Sequence, residues 1–160
     1  MRRSKQLLPQ EETLDILRTA TSGVLSVIGD DGYPYGVPLS YVYDDGHLYF
    51  HCAKSGHKLD AIRACSKASF TVIAADDVLP ERYATNYRSV IAFGNVTVIE
   101  DEAETLRTIR LLGDRYNPGH MDATEAEIAS SVAHMYMLDF CIEHMTGKEG
   151  LYLAQMRTSN

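Results

Sequence analysis

The feature that most constrains this chain is the spacing of its tight turns. Gly29-Asp30-Asp31-Gly32 joins the extended run 22–28 to 33–43, and Asp44-Asp45-Gly46 joins 33–43 to 47–53. Asp and Gly clusters of this kind favour hairpins. A parallel pair needs a crossover of roughly a dozen residues or more, so turns this short admit only antiparallel neighbours. Pro34 and Pro38 fall inside the second run. Proline cannot donate to a ladder, which places that run at an edge or a bulge of the sheet.

Three more extended runs follow at 68–75, 87–99 and 134–145, with a loop expected at 76–85. In the last run Tyr136, Leu138, Phe140 and Ile142 share one face, with Asp139 and Glu143 on the other. Helical spacing appears at 10–20, 57–65 and 102–116. The first of these carries Glu11, Glu12 and Asp15 near the end where the macrodipole favours anions. The acidic run Glu100-Asp101-Glu102 with Glu104 reads as the start of the third, and Asn117-Pro118-Gly119 stops it. Thr124 with Glu127 three residues on reads as a capping box for a further helix to about 133. Six antiparallel strands are enough to curl into a small barrel with helices packed outside it.

Composition narrows the function. A chain of 160 residues, 45% hydrophobic and 23% charged, suits one folded domain with a real core rather than a disordered segment. No apolar run approaches the roughly 18–20 residues needed to cross a bilayer, and the basic start lacks the apolar region of a signal peptide. The expected location is the cytoplasm, off the membrane. The net charge of −7 argues against nucleic acid as a partner, since such binders need a basic face. Cys52, Cys65 and Cys141 form no CxxC pair and read as reduced thiols without a zinc site. His47, His120, His134 and His144 show no metal-ligand spacing, so no metal is expected.

The chemistry concentrates at 48–58, Leu-Tyr-Phe-His-Cys-Ala-Lys-Ser-Gly-His-Lys. A strand ends, a small-residue turn follows and a helix begins. Backbone N–H groups at a helix start, with Lys54, His57 and Lys58 nearby and Ser55 as a further donor, can hold a phosphate monoester. A solvated turn with two surface lysines fits the same residues. His51 can serve as a proton donor or substrate contact near neutral pH, or as a polar strand-end residue. Cys52 reads as a small apolar strand residue rather than a nucleophile. Tyr33, Tyr35, Tyr41 and Tyr43 alternate with the strand period and suit barrel-wall packing.

Three motifs in order carry a resemblance: Tyr35-Gly36-Val37-Pro38-Leu39-Ser40-Tyr41, the stretch Asp45 through Lys58, and Arg88-Ser89-Val90-Ile91-Ala92-Phe93-Gly94. Together with Met1-Arg2-Arg3 and Met145-Thr146-Gly147-Lys148, they resemble the pyridoxamine 5′-phosphate oxidase-related, FMN-binding split-barrel proteins. Within that group the chain looks most like the 5-nitroimidazole resistance family. The resemblance spans residues 1–148 and leaves 149–160 as a C-terminal tail or a strand crossing to a partner. It implies a mainly β fold with α, a six-stranded antiparallel split β-barrel with peripheral helices, and a homodimer with FMN sites at the subunit interface.

Carried over by position, the resemblance puts Val37, Pro38, Leu39 and Ser40 along the isoalloxazine ring, with His51, Cys52 and Ala53 beside it. Lys54, His57 and Lys58 would hold the phosphate, and Arg88, Ser89 and Val90 would approach from the second subunit. The oxidases that make pyridoxal phosphate carry a tryptophan and an Arg-Leu pair near the C-terminus. This chain has no tryptophan and ends Ala154-Gln155-Met156-Arg157-Thr158-Ser159-Asn160, which sets it apart from them. The implied activity is an FMN-dependent oxidoreductase reducing small aromatic or nitro compounds, with His51 as the catalytic residue. The alternative is a non-catalytic flavin- or haem-binding carrier or sensor. No Gly-x-Gly-x-x-Gly follows a strand, so the residues assign no nicotinamide donor.

Overall fold

Both turn signals close hairpins in the computed structural model, which describes residues 4–158. The Met1-Arg2-Arg3 motif and Ser159-Asn160 lie outside the described residues. β1 (Ser22–Ile28) pairs antiparallel with β2 (Pro34–Ser40) along their whole length, and β3 (Val42–Asp44) pairs with β4 (His47–Ala53). β5 (Lys67–Leu79), β6 (Ala84–Val98) and β7 (Met135–Glu149) complete one antiparallel sheet in the order β2-β1-β5-β6-β7-β4-β3. The prolines of β2 sit, as their chemistry requires, in an edge strand.

The strand count is seven rather than six because the 33–43 run breaks at Tyr41. That residue's side chain is wholly buried and its hydroxyl donates to Leu17 O at 2.8 Å. Its backbone N–H donates to Tyr116 Oη at 3.0 Å. The Tyr116 hydroxyl in turn lies against Tyr41 O and Thr21 O, and its single proton serves one of them at a time. β2 and β3 are the two outer strands of the sheet, so one residue covalently joins its two edges. Among the described residues no ladder pairs β2 with β4. The sheet therefore rolls without closing, and the gap between β2 and β4 opens from Tyr41.

The barrel interior holds Leu25, Leu48, Phe50, Phe70, Val72, Val90, Ala92, Val96, Leu138 and Phe140. Full burial of each large side chain contributes about 1.5–3 kcal/mol. α1 (Gln10–Thr19) adds Ile16 and Leu17, and α2 (His57–Ala64) adds Leu59, Ala61 and Ile62. A second core lies on the opposite face of β3, β4 and β7. There Val42, Tyr49 and Met137 meet Ile109 and Leu112 of α3 (Glu102–Tyr116) and Ile128 of α4 (Met121–Ser131). Strand alternation thus assigns Leu48, Phe50 and Cys52 to the barrel and Tyr49 and His51 to the helix side.

Two local readings need correction. The expected loop at 76–85 is the tip of a long β5–β6 hairpin, paired from Asp76↔Tyr87 to Leu79↔Ala84. Val78 and Tyr83 are exposed there, so no core face imposes the apolar alternation that marks a strand. α4 starts at Met121 with His120 at the cap, not at Thr124. Thr124 is buried instead, and a β-carbon at Gly113 would overlap its methyl group, so these two residues set the close approach of α3 and α4. α3 does start at the acidic run, where the Asp101 side chain caps it by accepting from the Glu104 N–H at 2.8 Å.

After β7 the chain forms α5 (Leu151–Thr158). Glu149, wholly buried, binds Arg157 at 2.7 Å and Arg88 at 3.2 Å, which ties α5 to β6.

Candidate functional site

The gap between β2 and β4 leaves one side of β2 without a strand partner. Gly29 N–H donates to Tyr33 O at 2.9 Å at the turn. Alternation along the ladder from that bond places Tyr35, Val37 and Leu39 in hydrogen-bonded pairs with β1. Pro34, Gly36, Pro38 and Ser40 therefore direct their backbone groups to the free edge. The two prolines cost the sheet no donor at these positions. Carbonyl acceptors and the N–H groups of Gly36 and Ser40 remain available along the edge.

That edge runs toward the start of α2. Gly56 precedes the helix at φ 127°, ψ 162°, a conformation essentially reserved for glycine, and no side chain caps the helix. Leu59 and Asp60 N–H groups donate back to Gly56 O, which leaves the first helical N–H groups facing outward. Tyr35, Val37, Cys52, Ala53, Ser55, Gly56, His57 and Lys58 enclose a pocket of about 190 Å³ here.

The sequence-predicted cations divide. Lys58 lines the pocket and is half-buried. His57 also lines it, but its ring packs edge-on against Tyr35 at 4.7 Å and its Nδ1 lies 3.9 Å from Asp30. Lys54 turns away, its Nζ 5.3 Å from the centre of the Tyr136 ring on β7. Cys52 forms part of the pocket floor and of the barrel core. Burial pushes its thiol pKa up, and the positive charges of Lys58 and Arg63 only partly oppose this.

Of the remaining candidates, Pro38 is exposed on β2, Leu39 packs against the barrel core and Ser40 ends the strand. Val90 lies wholly inside the barrel. Arg88 spends its charge on Glu149 and on Glu12 at 3.7 Å in the same chain. Ser89 is half-buried opposite Lys148. The structure thus gathers Val37, Cys52, Ala53, His57 and Lys58 and leaves Lys54, Arg88 and Val90 elsewhere.

His51 opens on a different pocket. A cavity of about 400 Å³ lies between α3, α4 and the sheet, with His51 and Ser40 at its strand side. Ile109, Leu112, Gly113, Ile128 and Met135 give it apolar walls, and Tyr116, Asn117, Thr124, Glu127 and Ser131 supply polar atoms. Sequence reading did not find this cavity. Its local signal in the chain is the pair of small residues Gly113 and Ala123 on the facing helices α3 and α4.

The outer face of the sheet carries a further feature. In register across neighbouring strands lie Val24, Thr71, Ile91 and Thr146, flanked by Ile73 and Phe93. Val24, Ile73, Ile91 and Phe93 are all exposed, and Val24 pairs with Pro38 of the free-edged strand. Among the described residues no group of three or more His, Cys, Asp and Glu side chains could hold a metal ion, and no helix is long and apolar enough to cross a membrane.

Comparison with known proteins gives the following. A family model described as pyridoxamine 5′-phosphate oxidase matches residues 9–149. No curated protein matches the chain. A FAD and haem binding protein from Mycobacterium smegmatis is 25% identical, with a TM-score of 0.78 over 91% of this chain and 73% of that one. A FAD-binding protein from Mesorhizobium loti is 24% identical, with a TM-score of 0.65 over 90% and 96%. A candidate 5-nitroimidazole antibiotic resistance protein from Bacteroides thetaiotaomicron VPI-5482 is 19% identical, with a TM-score of 0.75 over 91% and 86%.

Proposed function

The chain belongs to the pyridoxamine 5′-phosphate oxidase family, and from that premise we propose that it is a cytoplasmic FMN-binding oxidoreductase that reduces small aromatic or nitro compounds. One observation carries the reading. The free edge of β2, the uncapped start of α2 and the half-buried Lys58 converge on a single pocket.

The donor set fits FMN at both ends. A phosphate monoester suits the outward N–H groups of α2, the Lys58 ammonium and the Ser55 hydroxyl. A ring with alternating donors and acceptors on its edge suits the carbonyl and N–H groups that β2 leaves unpaired. From Tyr35 to Ser40 the edge extends about 17 Å at ~3.4 Å per residue, enough for a phosphate-to-ring span. When bound, the flavin supplies hydride or electron transfer, and the protein supplies position, electrostatics and access. Ser55 and Lys58 bind and orient, and Tyr35 and Val37 exclude water. His51, on the far face of β4, presents its imidazole to the larger cavity as the proton donor or substrate contact of this proposal.

A homodimer belongs to this proposal. Val24, Ile73, Ile91 and Phe93 form an apolar strip that a lone barrel exposes to water, and the strip adjoins the free edge of β2. A second copy packed there would cover both. The free thiols at Cys52, Cys65 and Cys141 suit a reducing compartment.

The test is the cofactor that copurifies with the protein, released by denaturation and identified by mass. FMN is expected, with reduction by dithionite and reoxidation by a nitroaromatic compound. FAD would overturn the choice of FMN. A Soret band would favour the haem-carrier reading, which the FAD and haem binding relative at 25% identity supports. A colourless protein that takes up no added flavin would sink the flavin reading.

A further inference from the structure

The cavity between α3 and α4 is chemically unlike the pocket at α2. Its walls are apolar, its volume of about 400 Å³ suits a small ligand, and no lysine or arginine lines it. Its ionisable lining groups are His51, Tyr116 and Glu127. Glu127 is exposed and makes no ion pair among the described residues, whereas neighbouring carboxylates are neutralised: Glu125 by Arg110 at 2.5 Å, and Glu104 and Asp44 by Arg107, both at 2.8 Å. Asp114 of α3 and Asp122 of α4 likewise have no ion pair among the described residues, but Glu127 is the carboxylate that lines the cavity. The whole-chain charge of −7 adds to its field.

We infer that this cavity is the substrate pocket and that it selects neutral or cationic planar aromatic molecules over phosphorylated or carboxylated ones. Its place as the substrate side rests on the flavin reading above, because Ser40 ends the free edge of β2 at the cavity while Tyr35 and Val37 line the α2 pocket. Its charge preference stands on Glu127 alone. Two neighbouring sites are thereby set to opposite charge, a phosphate at α2 and a non-anionic aromatic ring at α3–α4. An anionic substrate would meet an unpaired carboxylate with no lysine or arginine in the lining to balance it, an arrangement that discriminates by repulsion.

The test uses three probes that share a nitrobenzyl frame: 4-nitrobenzylamine, 4-nitrobenzyl alcohol and 4-nitrobenzoate. Binding is measured by calorimetry at low ionic strength, on protein as purified and on protein saturated with FMN, with flavin content read separately by absorbance. The amine is expected to bind about tenfold tighter than the benzoate, with the alcohol between them. Glu127→Gln should narrow that gap and Glu127→Lys should reverse it. Ala123→Leu, which fills the cavity from an exposed helix position, should weaken all three probes. Equal binding of amine and benzoate, an order unchanged by Glu127→Lys, or probes indifferent to Ala123→Leu would each overturn the inference. Protein without flavin that still ranks the probes in this order would uphold the charge preference while the flavin reading fails.

Discussion

Two pockets flank the end of β4, and they differ in every property that selects a ligand. The one at α2 is small, led by Gly56 and bordered by Lys58. The one at α3–α4 is about twice as large, apolar-walled and bordered by Glu127. Adjacent residues of one strand face them, Cys52 toward the first and His51 toward the second. A period of two is enough to give consecutive side chains opposite chemistry. The backbone between them touches both, which is how one strand can join a pocket bordered by a lysine to an apolar-walled one bordered by a glutamate.

The largest expected effect breaks one side only. His51→Ala should lower nitroaromatic turnover by about 10²–10⁴-fold, the usual worth of a positioned acid or base, with flavin content unchanged. Flavin loss in step with turnover would show that His51 supports the cofactor instead. Lys58→Ala should do the reverse. FMN affinity should fall by about one to two orders of magnitude, corresponding to ~1.5–3 kcal/mol for a charge-assisted contact, while the nitrobenzylamine affinity of flavin-free protein stays constant. Fluorescence titration with FMN reads the first quantity and calorimetry the second. Unchanged FMN affinity would move the phosphate site away from α2.

Tyr116→Phe probes what the two pockets share. Its hydroxyl accepts from Tyr41 N–H at the break between β2 and β3, and its ring lines the larger cavity. Removing the hydroxyl leaves a buried backbone donor without its partner, a cost of about 1–3 kcal/mol. Urea denaturation should report that loss, and both ligands should bind more weakly because the corner that spaces β2 from β4 is loosened. Retained stability would mean that the split is held by packing around Tyr41 alone.

Much of this plan was legible in the residues. Turn chemistry at Gly29–Gly32 and Asp44–Gly46 gave the hairpins, and Pro34 with Pro38 gave the edge strand, because each effect is local. The break at Tyr41 was not legible, since the groups that impose it, Leu17 and Tyr116, are 24 and 75 residues away. The β5–β6 hairpin tip was missed because exposed strands carry no apolar alternation. α5 was missed because the buried Glu149 that holds Arg157 belongs to a strand read as ending earlier. Among the site residues, the α2 cluster was legible as a strand–turn–helix motif. The cavity at α3–α4 was not, because it exists only where Gly113 lets Thr124 approach.

Cys52 gives the smallest effect and the finest separation of the two faces. If it were a nucleophile, the α2 pocket would be a reaction centre and the division of labour across β4 would fail. Its environment argues the other way, because burial raises the thiol pKa and keeps it protonated at neutral pH. A group whose pKa is higher in the folded state binds more protons there than in the unfolded chain. Its contribution to stability is therefore complete below the ordinary thiol range, near ~8.5, and is lost as pH climbs above it. Tyr41 and Tyr49 are also raised by burial, but their loss begins only above the ordinary phenol range. Between about pH 8.5 and 10, then, Cys52 contributes to any decline in stability before the tyrosines do. Cys52→Ala should flatten that decline, cost about 1 kcal/mol or less at pH 7, and leave FMN binding and turnover intact. Loss of turnover with flavin retained would make the thiol a participant and erase the contrast between the two pockets.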